Sequence, residues 1–260
     1  GHLVRYLAGC CLKRGLWVSK STGTGWVEDL QFNPHYALRL PKGLPHPPMT
    51  GRTGGVLIDF LRQNLEGMVF GDCEDERIFA TFLYAAYDGI AFRDDLGGTN
   101  SRILIHGTDT ASRAAVIERT GPKGLEFIAA QLVPLGKWEV AAIVTPPKFR
   151  GEVKFFNTQV WAGDLTADLQ GTGKVLIQQM NTLSGGFRQT AGETALQNIN
   201  LSRDMHPHLM IEGGTSDLLA NQSRRGMLRW ERGKRAKVTA FGNAASLLGT
   251  LPQGDPAPGN

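Results

Sequence analysis

The densest run of ionisable side chains is "GDCEDER" at 71–77, where Asp72, Glu74, Asp75 and Glu76 stand beside Arg77. Glycoside hydrolysis uses two carboxyl groups flanking one bond, about 5–5.5 Å apart for retention and roughly 6.5–9.5 Å for inversion. On a strand, residues two apart share a face, so the spacing predicts Asp72, Glu74 and Glu76 on one side and Asp75 on the other. Carboxyls crowded in this way hold at least one proton to higher pH, which a general acid requires. The same run is also what a solvated acidic turn ending in an Asp–Arg pair looks like.

A second cluster, "WVEDLQFNPHY" at 26–36, sets Trp26 beside Glu28 and Asp29, with His35 and Tyr36 beyond an Asn-Pro turn. An aromatic plate next to carboxylates suits the apolar face and the hydroxyls of a sugar. A third cluster pairs His106 with Asp109 in "IHGTDT". The expected catalytic carboxylates are therefore Asp72, Glu74, Asp75, Glu28 and Asp29, and the expected substrate contacts are Trp26, His35, Tyr36, Arg77, His106 and Asp109. Hydrolysis of this kind takes no cofactor and no metal. The rival chemistry is elimination at a uronate, with His35, His106, Arg77 or Arg93 as base or charge partner and carboxylates holding Ca²⁺. "GTGKV" at 171–175 lacks the spacer and the Lys-Ser/Thr ending of a phosphate loop and reads as a turn. "HPH" at 206–208 offers His206 and His208 without a third ligand nearby. Cys10, Cys11 and Cys73 form neither a disulfide framework nor a zinc site.

These clusters need a scaffold, and the second half of the chain spells one out. Gly124, Gly151, Gly173 and Gly192 each open a short strand, with alternation in Val153/Phe155 and Val175/Ile177. Asn157, Asn181, Asn200, Asn221 and Asn243 fall near the bends that follow. A repeat of about 19–27 residues is the mark of a solenoid whose coils stack and bury an aliphatic ladder. The pattern predicts an all-β, right-handed parallel β-helix over residues 1–248, with a polar tail at 249–260 expected to be flexible. Long loops and one short amphipathic helix, in "VLIDFLRQNLEG" with either Val56, Phe60 and Asn64 or Leu57, Leu61 and Leu65 as its stripe, belong to the N-terminal half. The chain opens directly in apolar sequence, as a processed or truncated N-terminus would.

Composition limits the partners. The net charge is +4 (28 basic against 24 acidic residues), yet residues 224–237 hold seven basic residues and one Glu, leaving −2 for the rest. One basic patch on an otherwise acidic chain argues against a nucleic-acid partner. No apolar run approaches the roughly 20 residues that cross a bilayer, so no membrane partner is expected either. Homo-oligomerisation is left open.

The order of "VEDLQFNPHY", "GMVFGDCEDERIFATFLYAAYDGIAF", "ILIHGTDTASRAAVIE" and "GLEFIAAQLV" before the terminal rungs resembles the pectate-lyase-like superfamily, over roughly residues 10–245. The nearest likeness is to the single-stranded β-helix proteins described as pectate-lyase-3 or glycoside-hydrolase-28-like. The resemblance implies a right-handed parallel β-helix acting on polysaccharide or oligosaccharide, in a secreted or periplasmic setting. The paired-Asp signatures of polygalacturonases (Asn-Thr-Asp, then Gly-Asp-Asp) are missing, as is the vWiDH-like segment of pectate lyases, so no catalytic residue carries over. A non-catalytic glycan-binding rod is the remaining alternative.

Overall fold

A computed structural model describes residues 1–38, 41, 43–44, 55–135, 141–202, 208–223 and 230–243. The chain is a parallel β-solenoid of about nine turns, 67% strand, with two helices among the described residues. The tail from 249, His206 and the first part of the basic run lie outside the described residues.

Each coil contributes a strand to three faces. One coil runs through Glu152–Phe156, Gln159–Val160 and Leu165–Leu169; the next runs through Lys174–Gln178, Asn181–Thr182 and Gly186–Gln189. Like strands pair in parallel, Val153 with Val175 and Phe155 with Ile177, so side chains of one register stack into columns. The alternation read from the sequence holds: Val153, Phe155, Val175 and Ile177 all point into the core. Fully buried rings add an aromatic column. Phe70, Phe92, Phe127 and Phe155 stand in succession at centroid spacings of 5.6, 6.2 and 4.7 Å.

The corners carry the rest of the specification. Between the first and second faces one residue per coil adopts the left-handed region: Asp29, Ala80, Ile105, Ala129, Asn157, Gln179, Asn198 and Ala220, at φ between 49° and 56°. A single such residue turns the strand while the next amide still reaches the neighbouring coil, as Asn157 N–H does to Gln178 O at 3.0 Å. The asparagines expected at equivalent bends divide into different roles. Asn157 takes the left-handed corner, Asn181 and Asn200 stack on the second face, and Asn221 and Asn243 turn inward to cap backbone groups. At the corner entering the first face, Gly124, Gly151 and Gly192 have positive φ as the turn requires, but in "GTGKV" it is Gly171, not Gly173, that does so. A Cβ on Gly151 would lie 2.0 Å from Thr120 Oγ1, so this corner admits no larger residue.

The helix spans Gly55–Asn64 and buries Leu57, Ile58 and Leu61. It docks on Ala85, Ala86 and Ala111, whose small side chains let it approach the solenoid. Of the two stripes the spacing allowed, the one containing Leu57 and Leu61 faces inward, while Val56 and Phe60 stay exposed.

The aromatic column should carry much of the stability. Phe127→Ala, which removes a fully buried ring between two others, is expected to cost about 3–5 kcal/mol, read as a lower urea midpoint. A loss under about 1 kcal/mol would mean that the coils close over the gap.

Candidate active site

Parallel pairing sets the first two sequence clusters side by side. Thr24 pairs with Asp75, Trp26 with Arg77 and Glu28 with Phe79, all on the first face. Trp26 is 40% exposed, and the Arg77 guanidinium lies over its ring at 5.0 Å. The carboxylates around this plate are already engaged. Glu28 accepts from Arg5 at 2.6 Å, Glu74 takes the Gly23 N–H at 2.8 Å, and Asp75 accepts from Thr24 Oγ1 at 3.2 Å with Arg77 at 3.6 Å. Asp29 and Asp72 are left-handed corner residues, with φ of 51° and 54°. Glu28 stands four residues along the strand from the position facing Asp75, a span of roughly 13 Å, which exceeds either glycosidase spacing.

The expectation that Asp72, Glu74 and Glu76 share a face fails. Asp72 and Glu74 are exposed, whereas Glu76 points into the core and is fully buried. Glu74 and Asp75 both stay accessible across the corner, so the alternation shifts before Glu76. Glu76 lies under Gly25, whose missing side chain gives its oxygens room. His2 Nε2 is 3.3 Å from Glu76 Oε2, but neither carboxylate oxygen is aligned for a hydrogen bond. Burial, with Asp75 adding repulsion, pushes the Glu76 carboxyl up to about 7, against the weaker pull of Cys73 and Ser21. Burial also pushes the Cys73 thiol up to about 11.

The second face holds the remaining sequence candidates. His35 opens the four-residue helix His35–Leu38, its N–H on Asn33 Oδ1 at 2.9 Å and its ring 5.5 Å from Tyr84. Tyr84 pairs with Asp109, which accepts from Thr110 Oγ1 at 3.0 Å. Tyr36 donates to Gln31 Oε1 at 2.6 Å. His106 is a core residue: buried, bracketed by the Thr81 and Thr108 hydroxyls at 2.8 Å each, and held neutral by burial, which drives its pKa to about 3. No substrate reaches it there.

The third face carries a groove of about 510 Å³ that sequence reading passed over. Arg113 closes one end, Ala141, Val144 and Leu165 form the floor, Pro146 and Pro147 stand at the side, and Asp164, Asp168 and Gln170 line the rest. The floor follows from register. Arg113, Ala141 and Leu165 occupy one column, so a small residue lies between two long ones. In the next outward column Val116 and Val144 precede Asp168, which puts a carboxylate where earlier coils carry valine. Gln170 Nε2 donates to Asp168 Oδ2 at 2.9 Å, while Oδ1 is shielded from solvent and has no hydrogen bond. Arg188 reaches Oδ1 only at 4.0 Å and is bound more closely by Glu212 at 2.9 Å.

Arg113 is fixed from behind. It grips buried Asp88 through two hydrogen bonds, at 2.6 and 2.9 Å, and lies over the Tyr87 ring at 4.4 Å. Arg93 bonds Asp88, Glu66 and Glu118 together. Burial alone would lower the Arg93 pKa, but these carboxylates outweigh it and raise it. Glu118 is likewise held below the usual carboxylate range, because Lys148, the Asp94 N–H and Arg93 overcome its burial. The sequence signal for this site was weak: "WAGDLTADLQG" places two aspartates in a rung, and only the columns show that both meet the groove.

A depression of about 310 Å³ on the first face holds Glu152, Lys174, Glu193 and Asp217, with Lys174 paired to Glu193 at 2.9 Å. Among the described residues, no group of three or more His, Cys, Asp and Glu side chains is placed to hold a metal ion, and no helix is long and apolar enough to cross a membrane. Compared with known protein families, curated proteins and solved structures, the chain matches none.

Glu76 gives this region a pH signature. Its folded pKa of about 7 lies above the 4.5 of a free Glu. Its contribution to stability is therefore complete below pH 4.5 and lost as pH rises through 7, amounting to about 3 kcal/mol at most. Glu76→Gln fixes the neutral shape, so the variant should melt several degrees above the parent at pH 8 and close to it at pH 5. His2, lowered mainly by burial, titrates in the opposite sense but is common to both proteins. Parallel melting curves across that range would mean that Glu76 is solvated.

Proposed function

We propose that this β-helix is a carbohydrate-active enzyme that cleaves glycosidic bonds of a polysaccharide or oligosaccharide in the groove of the third face. The observation that carries this reading is Asp168: a carboxylate with one oxygen oriented by Gln170 and the other without a hydrogen bond, 4.0 Å from Arg188, set in a groove with an apolar floor. An aliphatic floor with polar walls suits a sugar ring, whose faces are apolar and whose edges are hydroxylated.

Asp168 protonates the leaving oxygen, and Asp164 at the groove edge activates water. The separation of the two carboxyls in the bound complex sets the outcome, retention at about 5–5.5 Å and inversion at roughly 6.5–9.5 Å. Arg113, pinned by Asp88, hydrogen-bonds hydroxyls at the far end and orients the chain. The strand order that resembles the pectate-lyase-like superfamily supports the same substrate class and a secreted or periplasmic location. Trp26, Arg77 and the carboxylates near them are then an outlying surface, since those acids hold turns and ion pairs.

The protein should be incubated with neutral and uronate-rich polysaccharides, with and without Ca²⁺, and followed by reducing ends and by the ultraviolet absorbance of an unsaturated uronate. Reducing ends without absorbance are expected. Asp168→Asn should lower turnover at least about 100-fold with an unchanged melting curve. Absorbance rising with the reducing ends would identify a lyase. A near-parental rate for Asp168→Asn would remove the groove acid from the mechanism.

A further inference from the structure

The second face changes character along the solenoid. Gln131, Gln159, Asn181, Asn200 and Gln222 occupy one outward column on five successive coils, each in register with the next. Asn200 Nδ2 donates to Asn181 Oδ1 at 3.2 Å, so these two form a short amide ladder. Gln131, Gln159 and Gln222 are exposed, and among the described residues their side chains bond to no protein group. Next to this column stand Trp161, 46% exposed, and Leu183, 53% exposed. The strands that build this stretch, Gln131–Pro134, Gln159–Val160, Asn181–Thr182, Asn200–Leu201 and Gln222–Ser223, contain no charged residue. The first face of the same coils is studded with charge, from Glu126 and Lys154 to Lys174 and Glu193.

A folded chain that needed only solubility here would gain it from charge. Primary amides instead offer both a donor and an acceptor without an ionic preference. Beside them, the Trp161 ring presents an uncharged π face at the same edge. The amides recur on every coil, about 4.8 Å apart, beside one aromatic side chain, which matches a linear polymer whose hydroxyls recur along its length and one of whose rings stacks on Trp161. From these features we infer that the second face, from Gln131 to Gln222, is a binding surface for a neutral, uncharged polysaccharide laid along the solenoid axis. This inference rests on the carbohydrate reading above and narrows it, because an amide column has no charge to pair with an acidic polymer, which would be drawn instead to the cationic side chains of the other faces.

The test is binding of the whole chain to hydroxyethyl cellulose, glucomannan and polygalacturonate by affinity electrophoresis, comparing the parent with Trp161→Ala, Gln159→Ala and, on the charged first face, Lys174→Ala. The expected result is retardation by a neutral polymer and not by polygalacturonate. Trp161→Ala should weaken it roughly ten- to thirty-fold and Gln159→Ala about two- to tenfold, with Lys174→Ala unchanged. Both substitutions are at exposed positions, so equal melting temperatures confirm that folding is not the cause. Neutral-polymer binding that survives both face substitutions overturns the second-face site but leaves the carbohydrate reading standing. Binding to polygalacturonate alone overturns the neutral specificity. No binding to any of the three overturns both.

Discussion

The constraint on which everything else depends is that every coil must repeat the bend of its neighbour. Parallel pairing in a solenoid satisfies the backbone of one coil only with the next, so a corner that turned differently would leave amides and carbonyls of both coils unpaired in the interior. One left-handed residue per coil between the first two faces meets this requirement. That such residues include Ala80, Ala129 and the β-branched Ile105 shows the hydrogen-bond register overriding local preference, since any Cβ disfavours that conformation and a branched one strains it most.

Given repeating corners, columns follow, and columns decide what each side chain does. Inward columns become the aliphatic and aromatic core, so a polar residue in one of them is conspicuous. His106 is accommodated because two threonine hydroxyls flank it. Glu76 is not matched in that way, and burial pushes its carboxyl up to about 7 instead. Outward columns turn local composition into surfaces: a charged first face, an amide-rich second face, and a third face where Ala141 between Arg113 and Leu165 opens a groove. The Asp88, Arg93 and Arg113 cluster at one end is nearly fully paired. Such a cluster adds little net stability, but it fixes where Arg113 points.

Much of the scaffold was legible from residues 124–243, where Gly, alternating strands and Asn recur with each coil. The helix at 55–64 was legible too, although its buried stripe was settled only by the alanines it docks against. The candidate site was far less legible. Acid-rich segments such as "GDCEDER" attract attention because ionisable residues are adjacent in sequence, yet adjacency on a strand sends neighbours to opposite sides, and the corner at Glu74 and Asp75 broke even that pattern. The groove acids are unremarkable in sequence because their significance comes from residues one coil away, about 20–25 positions earlier or later.

By itself, then, the sequence determined the periodicity: short alternating strands, turn residues at each rung, and hence a stacked parallel architecture. It could do so because alternation and turn chemistry are local properties of the chain. Which residues meet was decided by tertiary structure alone. Asp168 follows Val144 in its column, Gln159 lies between Gln131 and Asn181, and Glu76 lies beneath Gly25, all through the pairing register between coils. That register depends on the length of every intervening turn, and a shift of one residue would send each of these side chains to the opposite side of its sheet.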